Sequence, residues 1–381
     1  VTGAVVERLT AGAEAGSVDV SIVILTQRRP GPLALAVRSA LAQTAAEIAS
    51  LELVVVDNDA TPSARAGLAI LAADAPFPVR YVHEPASGVA NARNAAVAAA
   101  RGGFIAFLDD DEEAPGGWLA ALVEAQAWFD ADVVFGPVVA RLPDVIRRHR
   151  SYLQRFFSRV GPTQAGLLPH YFGCGDSLLR RAALPCSAPF AASANETGGE
   201  DDRLFRAMRA AGARFAWAPD AWVWEDPSPE RLTLGYTIRR AFAFAQGVTW
   251  MCAQGPRPDW LAVVGWMTVG LGQATIFGFA AAGAWLIGAP QRAALTDRAA
   301  RGLGKVFWGA RFQIQFYGLT TAPSGSRGGA LSKAPGLDSE AEPRWPGMTA
   351  SPSSTTRTAA RRATCSQPSR TPAASPTSSS T

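Results

Sequence analysis

Histidine is nearly absent from this chain of 381 residues: His83, His149 and His170 are all there are, and they show no mutual metal-binding spacing. Cysteine is almost as scarce. Cys174, Cys186, Cys252 and Cys365 lack ligand spacing and are too few to frame a chain of this length with disulfides, which points to a reducing compartment. There is no P-loop, no Gly-x-Ser-x-Gly elbow and no dinucleotide glycine fingerprint. Charges at Glu7, Arg8, Glu14 and Asp19 precede any long apolar run, so no secretory signal is expected. Excess charge is also missing from the body. The formal net charge is +4, and the seven Lys/Arg against three Asp/Glu from Thr320 onward account for all of it. A basic nucleic-acid-binding face is therefore not expected, and no nucleic acid is expected as a partner.

What the sequence does contain, over residues 20–136, is an alternation of two periodicities. Apolar β-rich runs lie at Val20–Leu25, Leu51–Val56, Val79–Val82, Phe104–Leu108 and Val133–Phe135. Helical stretches separate them at Pro32–Ala46, Ser63–Ala73, Gly88–Ala100 and Trp118–Phe129. Strands and helices in this order predict βαβ units and an α/β fold with a mostly parallel central sheet, covered on both faces. Ligands in such sheets bind beyond the carboxyl ends of the strands. Asp57-Asn58-Asp59 and Asp109-Asp110-Asp111 fall at two of those ends.

Further on, Asp144–Val160 interleaves five arginines (147, 148, 150, 155, 159) with Tyr152, Leu153, Phe156, Phe157 and Val160. It reads as a basic amphipathic helix suited to a membrane interface or an anionic ligand, or as a solvated surface helix. Trp260–Ala289 then runs thirty positions without a charge. As a helix it would be roughly 45 Å long at 1.5 Å per residue, against a hydrocarbon core of about 30 Å. Membrane insertion is expected, with membrane lipid as a partner. Arg239, Arg240 and Arg257 precede the run, and Arg292, Arg298, Arg301 and Lys305 follow it, so both flanks read as cytoplasmic. A re-entrant hairpin breaking near Gly270–Gln273 reconciles one apolar run with two cytoplasmic flanks, its glycines letting the arms pack. From residue 319 the composition collapses to Ser, Thr, Pro, Ala, Gly and Arg, which predicts a disordered low-complexity tail. The organisation expected is an N-terminal extension (1–18), a catalytic domain (19–250), a membrane-inserted or re-entrant helical segment with an amphipathic helix (258–318) and the tail (319–381).

Two acidic clusters and one helix opening are the candidates for chemistry. Asp109, Asp110 and Asp111 follow a buried strand, and carboxylates so close repel unless a cation or donors are present. Mg²⁺ or Mn²⁺ prefers such oxygen ligands and also binds phosphates, so a metal there would steady a nucleoside diphosphate as leaving group; a plain solvated turn is the alternative. Ser87–Asn94 opens a helix, with Ser87 as candidate N-cap and Arg93 in the first turns, a place for phosphate or simply a cap with a surface arginine. Glu200, Asp201 and Asp202 start another helix before Leu204, Phe205 and Met208. Helix capping explains them, and a carboxylate there also suits general-base work on a hydroxyl if the loop faces the metal site.

Taken in order, these segments resemble glycosyltransferase family 2 over roughly residues 19–245. Val20–Thr26 with Leu41-Ala42-Gln43-Thr44 is similar to the family's first strand and helix, and Val54–Asp59 to its nucleoside-binding strand end. Gly88–Asn94 is like its segment ending Ala-Arg-Asn, Leu108–Asp111 like its D-x-D motif, and Gly199-Glu200-Asp201 like its E-D motif. Phe172–Asp176 with Arg180-Arg181 resembles its acceptor-side loop. Val223–Pro227, Arg231, Tyr236 and Arg239-Arg240 look closest to members that build bacterial exopolysaccharides on lipid carriers. The chain departs from many relatives at Asn58 (often Asp), at Glu225 (often His) and at Asp176 (often Asn).

The resemblance implies a GT-A fold and inverting, metal-dependent hexosyl transfer from a nucleotide-diphosphate sugar, a UDP-sugar by expectation, to a hydroxyl of a polyprenyl-linked saccharide or polysaccharide. It implies donor binding by Thr26, Asp57, Asn58, Asp59, Arg93, Asp109 and Asp110. It implies a divalent cation (Mg²⁺ or Mn²⁺) on Asp111 and Glu225, and Asp201 as base. Gly175, Asp176, Glu200, Asp202 and Arg240 stand on the acceptor side, and the expected location is the cytoplasmic face of the inner (plasma) membrane. A nucleotide-sugar-binding scaffold without turnover, within a membrane assembly, is the alternative.

Overall fold

Strand β2 (Val18–Thr26) shows why the chain folds around a sheet: Ile22 and Ile24 are buried toward one side and Val23 toward the other. Strand β3 (Leu51–Asp57) repeats this with Leu53 and Val55 against Val54 and Val56. A period of two with both sets apolar requires cover on both faces. On the Ile22 side it comes from α1 (Pro30–Leu41), α2 (Arg65–Ala72) and α4 (Trp118–Phe129). On the Val23 side it comes from α3 (Val89–Ala99) and α6 (Glu200–Ala210). The computed structural model describes residues 3–10, 17–45, 48, 50–195, 198–254 and 257–314; the low-complexity tail and Cys365 lie outside the described residues.

Strands β4 (Val79–His83) and β5 (Gly102–Asp109) flank the first pair, giving a parallel block β4-β3-β2-β5. The sheet continues through β10 (Ser177–Arg180), β7 (Val133–Phe135), β11 (Phe215–Trp217) and β9 (Gly166–Leu168). At the other edge β1 (Val5–Arg8) pairs antiparallel with β4, completing nine strands. The expected N-terminal extension thus contributes a strand of its own. A second, three-stranded sheet joins β6 (Glu112–Glu113), β12 (Val223–Glu225) and β8 (Val138–Ala140). In the parallel block Thr26 pairs with Asp57 and Leu25 with Asp109, so these residues end on one edge, the carboxyl edge.

Two local expectations are corrected. The amphipathic helix expected over 144–160 is helical only at α5 (Arg150–Phe157), so Arg147, Arg148 and Arg159 lie outside it. Ser87 does not cap α3: Gly88 is the N-cap at φ 132°, and the side chain of Asn195 accepts from the Ala90 and Asn91 amides. A Cβ on Gly88 would stand 2.2 Å from the Asn195 side chain, so the cap from across the fold requires glycine there.

The C-terminal described part is helical: α7 (Leu234–Cys252), α8 (Trp260–Leu286) and α9 (Arg292–Val306). Thr233 caps α7 through the Tyr236 amide, and Asp259 caps α8 through the Ala262 amide. The re-entrant break expected near Gly270–Gln273 is absent, because α8 is one uninterrupted helix of 27 residues. Its glycines serve a different contact. Gly270 meets Gly302 of α9 so closely that a Cβ on either would fall within 2.7 Å of the other's backbone.

Candidate active site

The carboxyl edge of the parallel block carries the first group. Asp57 is fully buried and accepts hydrogen bonds from the Ala64 amide at 2.7 Å, the Tyr81 hydroxyl at 2.9 Å and Ser63. Asn58 donates to the Glu84 and Ala86 carbonyls and accepts from the Gly88 amide, which fixes the start of the α3 loop. Asp59 is paired with Arg28, whose guanidinium holds it below the usual carboxylate range. These three side chains are already hydrogen-bonded within the protein, so they fix the carboxyl edge of β3.

The β5 end is more heavily charged. Thr26 donates to Asp110 at 2.8 Å, and Arg29 bridges Asp110 and Asp111. Burial still pushes Asp110 up to about 6. Asp111 is reached a second time by Arg231 at 3.2 Å, and the same guanidinium lies 3.6 Å from Glu225 at the end of β12. Burial, then the charge of Asp111, raises Glu225 to about 8. Phe157 and Tyr236 hold the Arg231 guanidinium against their rings, at 5.2 and 6.0 Å.

Asp109 turns toward a second pocket of charge. Its amide donates to Glu112 at 2.8 Å, and Gly175 packs on its carboxylate, where a Cβ would stand 2.5 Å from Oδ2. Burial is the largest cause raising Asp109, with Asp111 and Asp201 adding to it and Arg93 and Arg159 opposing it. The adjoining Asp176, expected on the acceptor side, is corrected to an interior residue. It is wholly buried at φ 46°, accepts from Trp118 Nε1 at 2.7 Å and pairs with Arg159 at 3.2 Å. Arg159 also donates to the carbonyls of Gly136, Gly173, Gly175 and Asp176, tying the acceptor-side loop to the sheet.

The acids expected at a helix start form the first turn of α6 itself. Glu200 is buried and ion-paired with Arg93, which is therefore not on the surface. Asp202 accepts from the Tyr171 hydroxyl at 2.8 Å and pairs with Arg206. Asp201 accepts from the amides of Cys174, at 3.2 Å, and Asp202, at 2.8 Å. Asp201 accepts from the Cys174 amide while the next residue, Gly175, packs on the Asp109 carboxylate, so the α6 turn and the β5 end meet across the Gly173–Gly175 loop. Arg240 lies on α7, its guanidinium 4.6 Å from the Phe244 ring.

Sequence reasoning missed Arg29, Glu112 and Arg159 as site residues. Arg29 carries the only local signal: it lies next to Pro30, which opens α1 just beyond Thr26. Glu112 and Arg159 act through the tertiary fold and leave no spacing to find.

Among the described residues no three His, Cys, Asp or Glu side chains converge as a ready metal cage. Asp111 and Glu225, which share one cationic partner, still fit the kind of site where a hard cation takes one or two carboxylates and completes its shell with water and substrate phosphate.

Residues 21–186 match the profile described as Glycosyl transferase family 2. The chain is 38% identical over 231 residues to the succinoglycan biosynthesis protein ExoM of Rhizobium meliloti (strain 1021), covering 60% of this chain and 74% of that protein. A shorter match, 34% over 93 residues, is to an uncharacterized glycosyltransferase of Nostoc sp. and covers 24% of this chain and 28% of that protein. Among solved structures, the mannosyltransferase PcManGT from Pyrobaculum calidifontis, in complex with GDP-Man and Mn²⁺, superposes with a TM-score of 0.51 at 19% identity, over 77% of this chain and 88% of that one. That last likeness bears on the fold, which is GT-A. With the family motifs ordered along a GT-A sheet and a relative matched over most of its length, the chain belongs to glycosyltransferase family 2.

Proposed function

We propose that the protein is an inverting glycosyltransferase of exopolysaccharide synthesis. It would move a sugar from a nucleotide-diphosphate donor to a hydroxyl of a lipid-linked or polymeric saccharide at the cytoplasmic face of the membrane. The observation that carries this reading is the convergence of two acidic motifs far apart in sequence. The α6 turn with Asp201 meets the β5 end with Asp109 across the Cys174–Gly175 loop, and Asp111 on the same strand end shares Arg231 with Glu225. The kinship with ExoM supports the polysaccharide context, and the exposed apolar helix α8 supports the membrane location.

In this reading the nucleoside lies along the edge shaped by Thr26, Asp57, Asn58 and Asp59, with Asp109 and Asp110 beside the ribose. Arg93, pinned by Glu200, stands between this groove and the acceptor side. Asp111 and Glu225 would hold a divalent cation, which supplies positive charge to the departing diphosphate. Arg29 and Arg231 supply further positive charge there. Asp201 suits the base because its neighbours are committed, Glu200 to Arg93 and Asp202 to Arg206 and Tyr171. It takes the proton of the acceptor hydroxyl as that oxygen bonds to the anomeric carbon. The bond from that carbon to the diphosphate oxygen breaks on the opposite face, and the nucleoside diphosphate leaves with the electron pair. A single displacement inverts the anomeric configuration.

Incubation with a panel of labelled sugar nucleotides and a bacterial membrane lipid extract tests this. Label from one donor is expected to enter the lipid or polymer fraction with inverted configuration. Tight donor binding without any transfer would favour the scaffold alternative.

A further inference from the structure

Helix α8 has a mean hydropathy of 1.4 over its most apolar window, yet only 11% of that window is buried in the protein. Its buried residues, Val263, Gly270, Ala281 and Ala284, make a single stripe that repeats at the spacing of a helix face. That stripe lies against α9, which runs antiparallel to α8. Gly270 meets Gly302, Gln273 bonds to Lys305 and to the Arg298 carbonyl, and Trp285 bonds to Thr296. The remaining circumference presents Leu261, Val269, Leu271, Ile276, Phe279 and Leu286 to the outside.

Length and composition alone would let α8 cross a bilayer, but its partner would not. Arg292, Asp297, Arg298, Arg301 and Lys305 lie along α9 over the C-terminal half of α8, and a crossing would carry that row into hydrocarbon. Neither helix is amphipathic enough to explain this surface by itself. The stacked pair is, with an apolar outer layer over a charged inner one.

Cations stand at the rim of this face. Arg155 and Arg298 have no carboxylate partner among the described residues, and they line a common cavity of about 490 Å³ between α5 and α9. Arg298 lies over Phe277 of α8, and Arg292 lies over Trp285, at 5.1 and 4.8 Å. Guanidinium groups reaching past aromatic rings at the border of an apolar face suit the phosphate level of a bilayer.

We propose that α8 lies in the plane of an anionic leaflet as a monotopic anchor, its outer face in the acyl boundary and Arg155, Arg292 and Arg298 among lipid phosphates. This deepens, and rests on, the membrane location proposed above. It also explains the cationic residues at both ends of α8: the two ends stay on the same side of the membrane.

Two measurements test it on the full chain. First, single cysteines at Arg257→Cys and Pro290→Cys, with Cys186, Cys252 and Cys365 changed to serine, are reacted with an impermeant maleimide in bacterial spheroplasts and in inverted membrane vesicles. Labelling of both sites only in inverted vesicles is expected. Labelling of the two ends from opposite sides overturns the in-plane anchor while leaving membrane location intact. Second, binding to phosphatidylglycerol-containing vesicles is compared with binding to pure phosphatidylcholine. The double variant Arg155→Gln/Arg298→Gln should lose roughly tenfold or more of its partition onto the anionic vesicles and little on the neutral ones. Leu271→Asp/Phe279→Asp, which changes only exposed residues, should weaken both. Equal binding of the arginine variant and the parent removes the phosphate role, and parent protein that binds neither vesicle removes the membrane location itself.

Discussion

Arg231 stands 3.2 Å from Asp111, and its guanidinium lies where the two carboxylates proposed as cation ligands converge, since Glu225 is 3.6 Å from the same group. The arginine thus supplies the positive charge that these acids require, and a divalent cation entering with the donor must compete with it.

Replacing Arg231 with Met should therefore tighten Mn²⁺ binding to the nucleotide-free protein. Charge-assisted hydrogen bonds contribute about 1.5–3 kcal/mol, so a gain of roughly tenfold or more is expected in a Mn²⁺ titration followed by electron paramagnetic resonance. Asp111→Ala should abolish that binding, and EDTA should abolish cation-dependent donor binding by the parent. Unchanged affinity in Arg231→Met would mean that the cation is held elsewhere.

The strand ends were legible in the sequence because their signals are local. Val20–Leu25 and Phe104–Leu108 are continuous apolar runs that only a covered sheet accommodates, and the acids follow immediately. Arg159 was hidden because nothing in its neighbours indicates that it leaves α5 and ties four carbonyls of the 136 and 173–176 segments. The apolar run 260–289 was legible as one long uncharged segment, but its geometry was not. Cationic residues at both ends suggested a bend in α8 itself, whereas the chain turns after Leu286 and α9 packs back along a straight helix. Helix pairing of that kind depends on Gly270 meeting Gly302, a contact between residues thirty-two apart.

Gly175 makes a sharper prediction than its sequence context allowed. A Cβ there would sit 2.5 Å from Asp109 Oδ2 and 3.3 Å from Glu112 Oε1, inside a loop held by Arg159. Gly175→Ala should displace Asp109, weakening donor binding at least tenfold and destabilising the fold by about 1–3 kcal/mol. Isothermal titration with the donor and thermal unfolding measure the two effects; wild-type values in both would show that the loop yields freely.

Asp176 should leave a signature in the pH dependence of stability. Burial raises it from 3.8 to about 7, against the opposing pull of Arg159 and Trp118. The folded protein then holds a proton that the unfolded chain releases, so the stabilisation is complete below the ordinary value and is lost as pH rises through about 7. Asp176→Asn has no proton to lose. Its Tm should therefore improve relative to the parent between pH 5 and pH 8, and a constant difference across that range would place the ionised form in the interior.

The base assignment gives the most discriminating experiment. Three adjacent acids open α6, and the structure separates them by their partners. Glu200 is ion-paired with Arg93, Asp202 is ion-paired with Arg206 and accepts from the Tyr171 hydroxyl, and among the described residues Asp201 accepts only from the amides of Cys174 and Asp202. Asp201 therefore has no ion-pair partner among the described residues, and its carboxylate lies on the turn that meets the Cys174–Gly175 loop beside Asp109. Asp201→Asn retains the shape and one of the two amide bonds, so the loss of the other should cost only about 1 kcal/mol of stability. It cannot accept the acceptor's proton, and general-base contributions are typically about 10²–10⁴-fold. We expect kcat to fall at least about a hundredfold while donor affinity changes little. Glu200→Gln should act differently, leaving Arg93 buried without its carboxylate, so it should lower stability together with activity. Asp202→Asn loses an exposed ion pair with little effect on either. Normal turnover in Asp201→Asn alongside loss in Asp202→Asn would transfer the role to Asp202, and full activity in all three variants would remove the α6 turn from the chemistry.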